Sequence, residues 1–167
     1  MSQEPKPAYL VPPDEGRALP GLRMVHKVAG DRFGVPMLIM EGVLAPGQLI
    51  PPHTHTQEAE CTHVLTGELT FEVGGEVMTA VAGSYVVKPR GIPHAFWNAE
   101  SEPARVIDFH TPSGFDRFYD ELEAVFTSDE TDEGARRAAE ADLHARYGLT
   151  FHPERIPEIA ARYGVRP

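Results

Sequence analysis

Three histidines and a glutamate stand in the chain at a spacing with clear chemical potential: Gly47-x5-His53-x-His55-x4-Glu60-x6-Gly67. After fifteen further residues comes Gly83-x5-Pro89-x-Gly91-x2-His94-x3-Asn98. His53 and His55 are two apart, so on a β-strand both side chains leave the same face. Glu60 lies five beyond His55 and cannot share that face on one unbroken strand. The polar stretch Thr56–Ala59 must turn or bulge to re-aim it. His94 comes from a distant strand. Three imidazoles and a carboxylate, brought together, suit Ni(II), Co(II), Mn(II), Fe(II) or Zn(II). Four such ligands leave one or two positions on an octahedral ion for substrate or O2. Each imidazole then needs a partner for its second ring nitrogen.

Neighbouring polar residues allow other readings. Glu58 has the parity of Glu60 and is either a supporting carboxylate or an alternative ligand. Cys61 and His63 have the opposite parity and are expected to point away. His110 ends a strand near the expected barrel rim. His26, His144 and His152 read as packed or surface histidines, and Trp97, out of phase with His94, reads as packing between sheets or at a subunit contact.

The elements that must position these groups are short strands with turn signals. Pro46-Gly47 and Pro89-Arg90-Gly91 read as tight turns before strands. Gly67 reads as a hairpin between two apolar runs, and Gly74-Gly75 as a stronger one. Leu69, Phe71 and Val73 alternate with Thr70 and Glu72, so the first set faces inward. Residues 22–28, Val35 to Leu44 and Arg105 to His110 read as further strands. After Thr111-Pro112-Ser113-Gly114 the period becomes helical, with Phe115, Phe118, Tyr119, Leu122 and Phe126 on one face. An acidic break over Thr127 to Gly134 precedes a second helix from about Glu133 to Tyr147. A third starts at Pro157 and ends before Gly164. The repeated Ala-Arg-Tyr-Gly at 145–148 and 161–164 reads as two similar glycine-capped helix ends.

The two glycine-bounded motifs match, residue for residue, the two-part signature of the cupin family. The resemblance implies an all-β double-stranded β-helix, or jelly roll, with a C-terminal α-helical extension. The expected layout is an extended arm over 1–20, a barrel over 21–112 and a helical extension over 113–167 packed on the barrel. The resemblance further implies one divalent transition metal ion held by His53, His55, Glu60 and His94, and, as in many single cupins, a homodimer. Pro89–Asn98, the Thr111–Phe115 phrase and the tail ending in Ala-Ala-Arg-Tyr-Gly are similar to single-cupin relatives of quercetinase. That implies a dioxygenase using O2 on an aromatic, flavonol-like substrate, with Glu60 as both ligand and general base. Met37, Ile39, Phe71, Phe96 and Phe109 are the expected walls of the substrate slot.

Two alternatives stay open. One is a non-oxidative lyase, isomerase or decarboxylase acting on a small oxygenated acid, with Arg90 or Tyr85 beside the metal. The other is a ligand-binding cupin without turnover. A formal net charge of −10 over 167 residues argues against nucleic acid and anionic membranes as partners. No apolar run approaches the ~18 residues of a membrane span. Cys61, the single cysteine, precludes an internal disulfide. Residues 1–16 are polar and proline-rich, unlike a secretory leader, so a cytoplasmic location is expected.

Overall fold

The computed structural model describes residues 8–129 and 132–167. The first seven residues of the expected arm, and Glu130 and Thr131 of the acidic break, lie outside them. In chain order the elements are β1 (Arg17–Leu19), β2 (Met24–Val28), a one-turn α1 (Gly30–Phe33), β3 (Leu38–Leu44), β4 (Leu49–His55), β5 (Ala59–Thr66), β6 (Glu68–Val73), β7 (Glu76–Val81), β8 (Tyr85–Lys88), β9 (His94–Trp97), β10 (Ala104–Thr111), α2 (Asp116–Phe126), α3 (Glu133–Arg146), β11 (Leu149–Phe151) and α4 (Ile156–Tyr163). They form two antiparallel sheets, ordered β1-β2-β3-β10-β5-β8 and β11-β4-β9-β6-β7. The architecture is a jelly roll with short helices at its C-terminal end.

The alternation expected for strand β6 holds, with Leu69 and Phe71 buried. They meet Leu44, Val64, Val86, Phe96 and Val106 from the facing sheet and neighbouring strands to form the core between the sheets. The Gly74-Gly75 turn does close a hairpin, with Val73 opposite Glu76. Gly67 does not. Strand β5 pairs with β10 and β8, whereas β6 pairs with β7 and β9. Gly67 is therefore a corner where the chain leaves one sheet for the other. Its φ is +82°. A Cβ there would lie 3.0 Å from the Ala104 backbone, so both the turn and the close approach demand glycine. Turn chemistry marks a reversal but does not say which sheet the next strand joins.

The tail does more than lie on the barrel. Between its helices it supplies strand β11, which pairs with β4 so that Leu149 opposes His55 and Phe151 opposes His53. Helices α2 and α3 bury Phe115, Phe118 and Leu143 against Leu38 and Met40. Helix α4 buries Ile159 against Leu49 and Trp97, with Val165 beyond it. Trp97 thus packs beneath the last helix. Backbone bonds from Leu49 to Arg166 and from Arg166 to Gly47 tie the C-terminal residues to the start of β4. At the other end, β1 begins at Arg17, inside the stretch expected as an arm, and pairs with β2.

Candidate metal centre

Two cross-strand rows face each other across the barrel. In the six-stranded sheet, Leu38 opposes His110, His110 opposes Glu60, and Glu60 opposes Lys88. In the five-stranded sheet, Phe151 opposes His53, His53 opposes His94, and His94 opposes Val73. The turn after His55 carries the chain from one sheet to the other, which is how Glu60 comes to face the histidines. His53, His55, Glu60 and His94 each offer a ligand atom within 4.8 Å of the others, and all four are buried.

The outward nitrogens show how the rings are aimed. His53 Nδ1 is 2.7 Å from the Pro51 carbonyl and His94 Nδ1 is 3.0 Å from that of Ile92. A carbonyl only accepts, so both Nδ1 atoms donate, and in the neutral ring the Nε2 lone pair is left for the cluster. His55 presents Nδ1 to Glu58 at 3.6 Å and Nε2 to Glu60 Oε2 at 3.5 Å. Neither nitrogen makes a hydrogen bond among the described residues. His94 Nε2 lies 3.1 Å from the same Glu60 oxygen. Ligand atoms about 2.1 Å from one ion sit roughly 3.0 Å apart in an octahedral set and about 3.4 Å apart in a tetrahedral one. The donor types, the buried unbonded His55 nitrogens and these separations all fit a divalent transition metal ion.

Charges in this enclosure are strongly shifted. Burial lowers His53 well below the usual histidine range, and the neighbouring His94 and His55 push it the same way. Burial also lowers His55, but Glu58 and Glu60 outweigh it and raise the group overall. For Glu60, burial disfavours the charged carboxylate. The Lys88 ammonium, with His110, His55 and His94, overrides that and holds it well below the usual carboxylate range. His110 is fully buried and pushed down to about 3 by desolvation. Its Nε2 lies 3.4 Å from the Tyr119 hydroxyl.

Sequence reading missed Lys88, Thr62 and Asp108, all buried beside Glu60. Lys88 donates to Glu60 Oε1 and, at 2.7 Å, to Thr62 Oγ1. Strand parity held a signal for it, since Lys88 alternates with exposed Val87 and shares a face with buried Val86. Glu58 is buried, with Oε2 3.6 Å from His55 Nδ1. His63 stacks on Tyr85 at 4.1 Å. Cys61 opposes Phe109 and Val87, away from the cluster.

The residues expected as substrate walls fall at different places in the fold. In β3 and β10 the buried positions are 38, 40, 42 and 44, and 104, 106, 108 and 110. Ile39 and Phe109 alternate with these, oppose each other, and belong to the outer face of the sheet. Met37 is exposed. Phe71 and Phe96 are inside, stacked at 5.1 Å, but they pack in the core beside Lys88. The aromatic rings that border the ligands come from the tail: Phe115 lies 4.8 Å from the His55 ring and Phe151 5.5 Å from the His53 ring.

The sequence pattern of the cupin domain matches residues 40–110. Germin-like protein subfamily 2 member 2 of Arabidopsis thaliana is 41% identical over 70 residues, covering 38% of this chain and 31% of that protein. The chain spans less than half the length of each curated relative it matches. Among solved structures, a predicted oxalate decarboxylase from Thermotoga maritima superposes with a TM-score of 0.51 at 22% identity, over 53% of this chain and 78% of that one. KdgF from Halomonas sp. also gives 0.51, at 21% identity, over 59% and 86%. Residues 40–110 thus match the cupin domain pattern, and the two sheets that hold the four side chains form the jelly roll of the cupin fold.

Proposed function

We propose that the chain is a metal-dependent dioxygenase that binds one divalent transition metal ion through His53, His55, Glu60 and His94 and cleaves a flavonol-like aromatic substrate with O2. The observation that carries the reading is the convergence of those four buried ligand atoms within 4.8 Å, with the outward nitrogens of His53 and His94 tied to carbonyls. When bound, the ion supplies a Lewis acid that lowers the pKa of a substrate hydroxyl and a centre at which O2 can react. The chain holds the ligand rings in place, with Phe115 against His55 and Phe151 against His53.

In this reading Glu60 is first a ligand. Taking the proton of a substrate hydroxyl as well works against the low proton affinity imposed by Lys88 and the imidazoles. The ligands are at most 7% exposed. A three-ring substrate therefore requires the protein around the ligands to open, a gating step of the kind that often limits turnover.

Tight burial favours a small substrate and so a second reading, non-oxidative chemistry on a small oxygenated acid. Against it, Arg90 is exposed, and Tyr85 is 64% exposed and stacked on His63. Lys88 is committed to Glu60 and Thr62. A homodimer also belongs to the proposal. The outer face of the six-stranded sheet, with Val43, Tyr85 and Val87 exposed, is the surface a second copy would cover.

The deciding experiment is O2 uptake with quercetin by protein loaded in parallel with Ni, Co, Mn or Fe. Uptake that disappears in His94→Ala supports the dioxygenase. No uptake from fully loaded protein with any of the metals would discard it in favour of the small-acid reading.

A further inference from the structure

Lys88 is a fully buried cation beside the ligand set, and the proposed chemistry makes no use of it. It stands directly opposite Glu60 on the neighbouring strand. Its ammonium donates to Glu60 Oε1 and to Thr62 Oγ1, and Asp108 Oδ1 lies 3.7 Å away. The Thr62 hydroxyl in turn donates to that same Asp108 oxygen. On its other side the ammonium rests over the Phe96 ring at 4.5 Å, with Phe71 at 5.8 Å. An ammonium has three N–H donors. Two are bonded, and the third is left between Asp108 and an aromatic face. The group is fixed where it stands and cannot swing out to a substrate.

The carboxylate it holds is divided. Oε1 of Glu60 belongs to Lys88, while Oε2 alone faces His94 Nε2 at 3.1 Å and His55 Nε2 at 3.5 Å. A carboxylate free to rotate binds a cation through one oxygen or two. We infer that Lys88 is a positioning residue that withholds one oxygen of Glu60, so that the carboxylate enters the coordination sphere through Oε2 alone and one more position stays open to solvent or substrate. This rests on the metal-centre reading and deepens it. With four one-atom ligands, an octahedral ion keeps two open positions, enough for a substrate oxygen and O2 together. A two-oxygen Glu60 would leave one.

The test uses Mn(II) and needs no turnover. In wild-type protein, the metal-loaded minus metal-free infrared difference spectrum should show the wide carboxylate splitting of one-oxygen binding, in a band missing from Glu60→Gln. A narrow, two-oxygen splitting would overturn the inference without any lysine variant. In Lys88→Met the band should move to the narrow splitting, and water-proton relaxation should report one fewer water on Mn(II). An unchanged spectrum and water count in loaded Lys88→Met would also overturn it. If the single variant does not fold, Lys88→Met/Asp108→Asn removes both charges of the buried pair together, and the same shift is expected. Failure of wild-type protein to bind Mn(II), or any of the other divalent ions, would instead remove the metal centre itself and this inference with it.

Discussion

His110 provides a direct test of the charge state inside the barrel. It is fully buried and neutral, with desolvation moving it from 6.5 to about 3. A group depressed in the native state contributes stability that is present above its unfolded pKa and lost as the pH falls. At pH 5.0 an ordinary histidine is about 97% protonated in the unfolded chain, while one at about 3 is about 1% protonated in the native chain. Between pH 7.5 and 5.0, His110 alone should therefore cost roughly 2 kcal/mol of stability. His53, His26 and His144 are also lowered and act in the same direction. His55 is raised and opposes them, and so does Asp108, which burial raises to about 6. The contribution of His110 is isolated by difference. Urea unfolding of metal-free wild type and His110→Phe should be followed at several pH values across that range. Phenylalanine keeps the stacking surface against Phe115, whose ring lies 5.2 Å away, and any packing offset is constant with pH. The wild-type curve should fall more steeply, by about 2 kcal/mol at pH 5.0. Parallel curves would refute a neutral, buried His110.

Other expectations concern the support of the site and the tail. Glu58→Ala removes the carboxylate behind His55 and should weaken metal binding by about 10- to 100-fold in chelator competition, with the metal-free fold retained. Ile159→Ala opens a hole beneath α4 beside Trp97 and should cost about 2–5 kcal/mol in denaturant unfolding. Gly148→Ala forces a side chain into a φ of +66° and places its Cβ 2.3 Å from Thr56 Oγ1, so a loss of at least about 1–2 kcal/mol is expected. A thermal melt of Gly148→Ala that matches wild type would mean that the turn before β11 relaxes freely.

Much of the site was legible without coordinates because its signals are local. A two-residue spacing sets His53 and His55 on one face whatever surrounds them, and turn residues at Pro89 and Gly91 announce a strand carrying His94. Helices α2, α3 and α4 followed from a 3.6-residue period and glycine caps, again local properties. Partnership across strands has no such signature. That β5 and β6 part at Gly67 into different sheets, that Lys88 opposes Glu60 with Asp108 close by, and that a three-residue strand of the tail runs along the strand bearing His53 and His55 are facts of register. Register is set by the packing of the whole barrel, since a slip of one residue exchanges inner and outer faces. For the same reason Ile39 and Phe109 stand on the outer face, and the rings beside His55 and His53 are Phe115 and Phe151 of the tail. The sequence by itself determined which side chains could ligate a metal. The tertiary structure decided what surrounds them, how their charges are held and how much room is left beside them.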